Sequence, residues 1–281
     1  MWKLFILLFV GILQAELVDI GSGRTLYLQC EGSGAPPVVL ISGRSDRADV
    51  WKKVMQEVSK HTLVCAYDRP GTISFIDGRV KNSRSTEVTQ PRSVRQAVDD
   101  LHAVLKNVKG PYVLVAHSYG GLIARLYAQT YSKEVIGLVL VDTLSELLYK
   151  TLNEKDRADW ARLNNYYSED LDKVIVQERI NLIKSLEEMG PDVKVPAIVL
   201  TSDEPYDFKE LIKEGILPKG TPIEFGDVVF KAHLKSQDEL AKRFNAKHIT
   251  NTHAGHYIQV EQPQLVIDAI LEVVKQTKTS P

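Results

Sequence analysis

The chain has 281 residues, of which 44% are hydrophobic and 25% are charged, and its net charge is −1 at pH 7. This length can bury a substantial core and is enough for one large α/β domain or two small ones. A net charge so close to zero gives no electrostatic attraction to nucleic acid, so we expect no nucleic-acid partner.

The amino terminus differs in composition from the rest of the chain. A basic start, Met1-Trp2-Lys3, precedes a mostly apolar run over residues 4–13 and then Gln14-Ala15. The run is about half the length that spans a bilayer as a helix, and the whole segment is typical of a secretory signal. We therefore predict a signal peptide over residues 1–15, export to the periplasm or the medium, and no stable membrane span after cleavage. An uncleaved anchor and a buried strand are the alternatives.

Apolar runs typical of strands alternate with helical patterns along most of the remaining chain. Strands are predicted over residues 25–30, 37–41, 63–67, 112–115, 135–141, 196–201 and 247–250. Helices are predicted over residues 49–60, 94–105, 229–244 and 262–275, and from residue 122 onward. A polar loop is expected up to Pro91, and residues 144–193 interrupt the alternation with two or three helices. This order predicts an α/β fold with a mostly parallel sheet covered on both faces.

One turn between a predicted strand and a predicted helix carries a serine. Residues 116–120 read Ala-His-Ser-Tyr-Gly, and small residues stand two positions before and after Ser118. These small residues let the strand and the helix approach closely, while the sharp turn exposes the serine hydroxyl. The five residues alone are a weak signal, but the strand before them and the helix after them make Ser118 a candidate nucleophile.

Polar residues also follow the other predicted strands. Ser42, Asp68, Ser118, Asp142 and Asp203 each come at or just after the end of an apolar strand. In an open parallel sheet the active site lies beyond the carboxyl ends of the strands. We therefore expect these residues to share one edge of the sheet.

A serine hydroxyl needs a neighbouring base, and the base needs a carboxylate that holds it. We predict His256 as the base, with His253 as its rival, because both lie between the last short strand and the last helix. Asp203 is predicted as the acid and Asp142 is the alternative. Glu204 and Asp207, both close to Asp203, are further alternatives.

Acyl transfer also needs hydrogen-bond donors for the developing oxyanion. The backbone N–H of Tyr119, directly after the serine, is the first predicted donor. The second is expected in the turn after the strand at residues 37–41, and we assign it to the N–H of Arg44. An ordinary turn is the alternative for this second segment.

The chain resembles the α/β-hydrolase fold family, and in particular its bacterial serine hydrolases. The resemblance rests on Tyr-Asp-Arg-Pro-Gly at residues 67–71, His-Ser-Tyr-Gly-Gly at 117–121, Gly-His-Tyr at 255–257 and Glu-Gln-Pro at 261–263. It covers nearly all of residues 16–281 and implies a helical lid over residues 144–193. The order serine, acid, histidine is the family order, and Ser42 stands where many members have histidine.

The resulting prediction is an exported serine hydrolase that cleaves a carboxylic ester of a small-molecule acyl substrate. The same triad also serves perhydrolases, lactonases, thioesterases and amidases, and a non-catalytic binding protein of the same fold is the alternative from another class. No zinc-ligand spacing and no nucleotide-binding fingerprint is found in the sequence, so no metal or cofactor is predicted. For Cys30 and Cys65, two buried free thiols are favoured over a disulfide.

Overall fold

The computed structural model describes residues 14–76, 79–169, 182–213 and 217–279. Its strands are β1 (Gln14–Gly21), β2 (Arg24–Glu31), β3 (Val38–Ile41), β4 (Val64–Tyr67), β5 (Ile73–Ile76), β6 (Arg79–Asn82), β7 (Tyr112–His117), β8 (Val135–Val141), β9 (Ala197–Leu200) and β10 (Lys247–Ile249). Its helices are α1 (Lys52–Val58), α2 (Val94–Leu105), α3 (Gly120–Thr130), α4 (Glu146–Thr151), α5 (Glu154–Glu169), α6 (Leu182–Glu187), α7 (Phe208–Lys213), α8 (Phe225–Phe244), α9 (Ile258–Glu261) and α10 (Pro263–Thr279).

Eight of these strands form one sheet in the order β1-β2-β4-β3-β7-β8-β9-β10. The pairs from β4 through β3 to β10 are parallel, whereas β1 pairs with β2 and β2 with β4 in antiparallel fashion. The prediction of a mostly parallel α/β sheet is therefore confirmed. Because β3, β7, β8 and β9 run side by side in parallel, their carboxyl ends open onto one edge.

Helices cover both faces of this sheet, and β7 shows why. All six residues of β7 are buried, and they alternate between two hydrophobic clusters. Leu114 and Ala116 pack with α2, α3 and α8, whereas Val113 and Val115 pack with α1 and α10. A strand with apolar side chains on both faces is the pattern expected inside a doubly covered sheet.

The sheet includes one strand that the sequence analysis did not predict. β1 begins at Gln14, and Gln14 and Ala15 pair with Cys30 and Gln29 of β2. Residues 1–13 of the predicted signal peptide lie outside the described residues. Among the described residues, none of the helices combines the length and the apolar character that a membrane crossing requires.

A short hairpin was also missed. The loop predicted up to Pro91 contains β5 and β6, which pair antiparallel with Ile73 opposite Asn82. They form a separate two-stranded sheet outside the main one. Ser74 interrupts the apolar residues of β5, and β6 is mostly polar, so neither strand has the continuous apolar run of the buried strands.

The expectation of two free thiols is corrected by the pairing of β2 with β4. Cys30 and Cys65 lie directly opposite each other in this pair, with Cα atoms 4.1 Å apart, and they form a disulfide. The two strands are not consecutive in the chain, because β3 lies between them in sequence. Sequence spacing alone therefore gave no sign of this close approach.

Three helices, α4, α5 and α6, occupy the stretch between β8 and β9 where the sequence predicted two or three. Residues 170–181 of this predicted lid lie outside the described residues. The described part is tied to the core by a cluster of buried charges. Arg125 of α3 donates to Glu146 of α4 and to Asp192 before β9, at 2.8 Å in each case, and Arg243 of α8 donates to Glu146 at 3.2 Å.

Removal of the disulfide is expected to destabilise the fold. The bridge joins residues separated by 35 positions in sequence. A bridge of this span restricts the unfolded chain by an amount that corresponds to about 2–4 kcal/mol. Urea unfolding of the wild type and of a Cys30→Ser/Cys65→Ser variant should show this difference. Two free thiols in the denatured, unreduced wild-type protein would contradict the assignment.

Candidate active site

Ser118 lies at the junction of β7 and α3 in a strained backbone conformation. Its φ is +51°, in the left-handed region that few residues other than glycine adopt. Its carbonyl accepts hydrogen bonds from the N–H groups of Gly121 and Leu144, both at 2.9 Å, and its own N–H donates to Val141 at 3.3 Å. The strain is thus held by bonds to both the following helix and the neighbouring strand, and Ser118 lines a cavity.

Glycines allow this turn to pack against its neighbours. A Cβ atom on Gly120 would stand 2.5 Å from the carbonyl oxygen of Ile41, and one on Gly121 would stand 2.4 Å from the side chain of Thr143. Either contact would push α3 away from the sheet. The small residue two positions after Ser118 is therefore required for the close approach that the sequence motif predicts.

His256 is brought to the same cavity by the loop that joins β10 to α9. Its Nδ1 lies 2.6 Å from Oδ2 of Asp142, the residue directly after β8. Because an ionised carboxylate only accepts hydrogen bonds, Nδ1 of His256 carries a proton, and the neutral form of this imidazole has its lone pair on Nε2. This is the tautomer that a general base requires.

The carboxylate of Asp142 is almost completely buried and is shared by two histidines. Oδ1 accepts hydrogen bonds from the backbone N–H of Ser202 and from Nε2 of His233, both at 2.8 Å. Burial alone would raise the pKa of Asp142, but the adjacent His233 and His256 outweigh it and hold the pKa well below its usual range. Asp142 is therefore ionised at neutral pH.

Asp203 does not contact His256, so the predicted pairing of these two residues is corrected in favour of Asp142. Oδ1 of Asp203 accepts hydrogen bonds from the hydroxyl of Thr252 and the N–H of Ala254, both at 3.1 Å. Burial alone would raise the pKa of Asp203, but the hydrogen bonds from Ala254, His253 and Thr252 together outweigh it and lower the pKa. Asp203 thus shapes the loop that carries His256 instead of meeting the imidazole.

The other candidate histidines take different positions. His253 is exposed and does not line the cavity, so the structure does not bring it to Ser118. His117 is fully buried beneath the loop, and its Nε2 donates to the backbone carbonyl of His256 at 2.8 Å. Burial, assisted by repulsion from His256, lowers the pKa of His117 well below its usual range, so His117 is a neutral support for the loop.

The two predicted oxyanion donors belong to segments that meet at Ser118. Tyr119 is the residue before α3, and Tyr119 and Arg44 both line the cavity with Ser118. The turn that carries Arg44 packs directly against the nucleophile, because a Cβ atom on Gly43 would lie 3.1 Å from Cβ of Ser118. Both segments therefore lie next to Ser118.

The cavity has a volume of about 410 Å³ and its wall is mainly apolar. Ser118, Asp142 and His256 line it together with His233. The stretch between β8 and β9 contributes Leu144, Leu148, Trp160, Leu163 and Asn164. The stretch after β9 and helix α8 contribute Tyr206, Phe208, Leu211, Leu217, Val229 and Phe230. The volume lies within the range typical of small-molecule sites.

His233 is the site residue that sequence reasoning missed. It was placed inside a predicted helix, but nothing in its spacing indicated that this part of α8 crosses the end of β8. Within the described ranges, no group of three or more His, Cys, Asp or Glu residues is arranged to hold a metal ion.

Sequence relatives are similar to this chain over part of their length. The chain is 30% identical over 112 residues to the uncharacterized protein YqjL of Bacillus subtilis, a match that covers 40% of this chain and 41% of YqjL. It is 27% identical over 178 residues to the monoacylglycerol lipase ABHD6 of Mus musculus, which covers 63% of this chain and 43% of ABHD6. The chain thus spans less than half the length of either relative.

Solved structures show the same fold over almost the whole chain. A thermophilic esterase from Thermogutta terrifontis matches with a TM-score of 0.64 at 18% identity, and the match covers 95% of this chain and 100% of the esterase. The sequence model of the alpha/beta hydrolase family matches residues 38–269, which include Ser118, Asp142 and His256. This chain therefore belongs to the alpha/beta hydrolase family.

Proposed function

We propose that this protein is a serine hydrolase that cleaves a carboxylic ester through an acyl-enzyme on Ser118. The observation that carries the proposal is the 2.6 Å pair of His256 and Asp142, because both residues line the same cavity as Ser118. This pair holds the imidazole in the tautomer that a general base requires, and the strained turn exposes the hydroxyl of Ser118.

The reaction follows from these groups. Oγ of Ser118 attacks the ester carbonyl carbon while Nε2 of His256 takes the hydroxyl proton. The imidazolium is stabilised by the ionised Asp142, and it then gives the proton to the departing alcohol as the C–O bond breaks. A water molecule, deprotonated in turn by His256, attacks the acyl-enzyme and releases the carboxylic acid with Ser118 restored.

Negative charge develops on the carbonyl oxygen during both attacks. We assign the backbone N–H groups of Tyr119 and Arg44 to this oxygen, because both residues line the cavity next to Ser118. Donors fixed in advance around such an oxygen are the largest single contribution to acyl transfer in many enzymes. Each donor is held by the fold instead of by a mobile side chain.

The wall of the cavity favours an apolar acyl group. The side chains of Leu148, Trp160, Phe208 and Val229 surround the space above Ser118, and they come from the two stretches that flank β9. We propose that residues 144–193 act as the lid of this pocket. The thermophilic esterase and the monoacylglycerol lipase among the similar proteins carry names that agree with ester cleavage.

Other acyl bonds can be cleaved by the same groups. Lactones, thioesters and amides would form the same acyl-enzyme, and hydrogen peroxide in place of water would give perhydrolase activity. A binding protein that keeps the three residues without turnover is the remaining alternative. Comparison of nitrophenyl esters of graded chain length with a matched amide and a matched lactone separates these activities.

Export is a second proposal, and it is supported by the disulfide. Cys30 and Cys65 are bridged, and such bonds persist in oxidising compartments such as the periplasm. We expect the mature protein isolated from its own host to begin at Glu16. A mature chain that still begins at Met1 would contradict the predicted cleavage.

Substitution of the nucleophile should abolish covalent labelling. A fluorophosphonate is expected to react with the wild-type protein at Ser118, because the neighbouring base activates this hydroxyl alone. The Ser118→Ala variant should not be labelled and should lose ester hydrolysis by at least about a thousandfold. Mass spectrometry of the labelled peptide checks the position. A folded wild-type protein that is neither labelled nor active on esters would favour the binding-protein alternative.

Substitution of each of the two acids by asparagine should affect kcat very differently. Asp142→Asn is expected to lower kcat by about a thousandfold or more, because an amide at this position can favour the wrong tautomer of His256. Asp203→Asn should change kcat little, because Asp203 bonds only to the loop backbone and Thr252. Steady-state kinetics on a nitrophenyl ester checks both variants.

His233 provides the internal control for this comparison. His233→Ala removes one hydrogen bond of Asp142 and leaves the bond to His256, so its loss of kcat should lie between those of the two Asn variants. His233→Gln keeps an N–H donor and should recover most of that loss. If Asp203→Asn alone were inactive while folded, the assignment of Asp142 would be wrong.

A further inference from the structure

Arg69 is a buried cation directly behind the turn that carries Arg44. Only 2% of its surface is exposed, and it follows β4 in the Tyr-Asp-Arg-Pro-Gly segment. A buried guanidinium is costly unless its N–H groups are hydrogen-bonded. Two of these N–H groups bind the backbone of this turn: Nη1 donates to the carbonyl of Ser42 at 2.7 Å, and Nη2 donates to the carbonyl of Gly43 at 2.5 Å.

These two bonds fix the direction of the neighbouring N–H groups. The Gly43–Arg44 peptide bond is not among the cis bonds of the described chain, so it is trans. In a trans peptide the C=O and the following N–H point in opposite directions. Since Arg69 holds the carbonyls of Ser42 and Gly43 on one side, the N–H groups of Gly43 and Arg44 point away from it on the other side. Successive N–H groups that converge in this way form a concave site for an anion.

Arg69 also contacts the second half of the predicted oxyanion site. Its Cζ lies 5.7 Å from the centre of the Tyr119 ring, within the range of a cation–π contact. One side chain therefore spans the two separate segments, the turn after β3 and the residue after Ser118, that supply the donors. The position of Gly43 between them is tight, because a Cβ atom there would stand 2.8 Å from Nδ1 of His117.

We propose that Arg69 is a positioning residue that holds the oxyanion site open, with the N–H of Arg44 aimed at the oxygen that becomes negative. This inference rests on the proposed acyl transfer at Ser118. Arg69 itself does not touch the substrate. Its guanidinium fork binds two adjacent carbonyls at once, which the single ammonium of a lysine cannot reproduce in the same geometry.

The test compares an ester with the thionoester of the same structure, whose C=S sulfur is a much weaker hydrogen-bond acceptor than C=O oxygen. The ratio of the two kcat/KM values reports the oxyanion site and is independent of how much of the sample is folded. Arg69→Lys is expected to lower kcat on the ester by about tenfold to a hundredfold, up to the loss seen when one oxyanion donor is deleted. The ester-to-thionoester ratio should fall in parallel, while KM changes much less.

Arg125→Lys is the matched control. Arg125 is as buried as Arg69, but its guanidinium binds Glu146 and Asp192 instead of the turn. Its substitution should lower the melting temperature while the ester-to-thionoester ratio stays at the wild-type value. Arg69→Gln, which introduces no buried ammonium group, is the second variant if Arg69→Lys folds poorly.

The outcomes separate this inference from the proposed function. A wild-type protein that hydrolyses esters and reacts with the fluorophosphonate establishes acyl transfer on its own. If Arg69→Lys or Arg69→Gln then keeps the wild-type kcat and the wild-type ratio, the role of Arg69 is refuted and the hydrolase proposal stands. A wild-type protein that is neither labelled nor active refutes the hydrolase proposal, and the inference about Arg69 falls with it.

Discussion

The site depends on the hydrogen bonds that the buried carboxylate of Asp142 accepts. A charge taken out of water is stable only where hydrogen bonds replace those lost to solvent. Three different parts of the fold supply those bonds to Asp142: Ser202 after β9, His233 on α8 and His256 in the loop after β10. The charge therefore does more than orient one imidazole, because it also draws these three segments together at the end of β8.

The strained backbone of the site is stabilised through the same corner of the sheet. Ser118 and Asp142 follow adjacent parallel strands, and both have positive φ angles, +51° and +44°. Conformations of this kind persist only where the surroundings fix them. The N–H of Asp142 donates to Leu200 at 2.7 Å, and the carbonyl of Ser118 accepts from Leu144 two residues after Asp142. Ser118 and the segment that begins at Asp142 are thus joined by backbone bonds.

The sequence was sufficient for what depends on local pattern. Buried parallel strands such as β7 and β8 are recognisable in the sequence as continuous apolar runs, and the serine turn is a local motif between a strand and a helix. The acid was different, because Asp142 and Asp203 both follow such strands and both fit the order of the chain. Only the path of the loop to His256 decides between them, and Asp203 is occupied by that loop's own backbone.

Features that join distant parts of the chain were not predicted from the sequence, for a related reason. The disulfide depends on the register of β2 against β4, which are neighbours in the sheet but are separated by β3 in sequence, and this register places Cys30 opposite Cys65. The contact of His233 with Asp142 depends on how α8 packs near the end of β8. Neither quantity is a property of a window of sequence, since each is set by how separate elements pack. Hydrophobic periodicity predicted α8 but not which of its residues meets Asp142.

The origin of each group in the site implies a division between chemistry and recognition. Ser118, Asp142 and the turn at Gly43 lie at the ends of sheet strands, where backbone bonds and packing on both faces fix them. The apolar wall comes instead from helices α4, α5 and α8 and from the stretch after β9. The buried Arg125–Glu146 pair anchors α4 to the helix that follows the serine, so the wall is attached to the site at its base. Substitutions in the wall, at Trp160 or Phe208, are therefore expected to change which ligand fits while the backbone bonds of Ser118 stay intact.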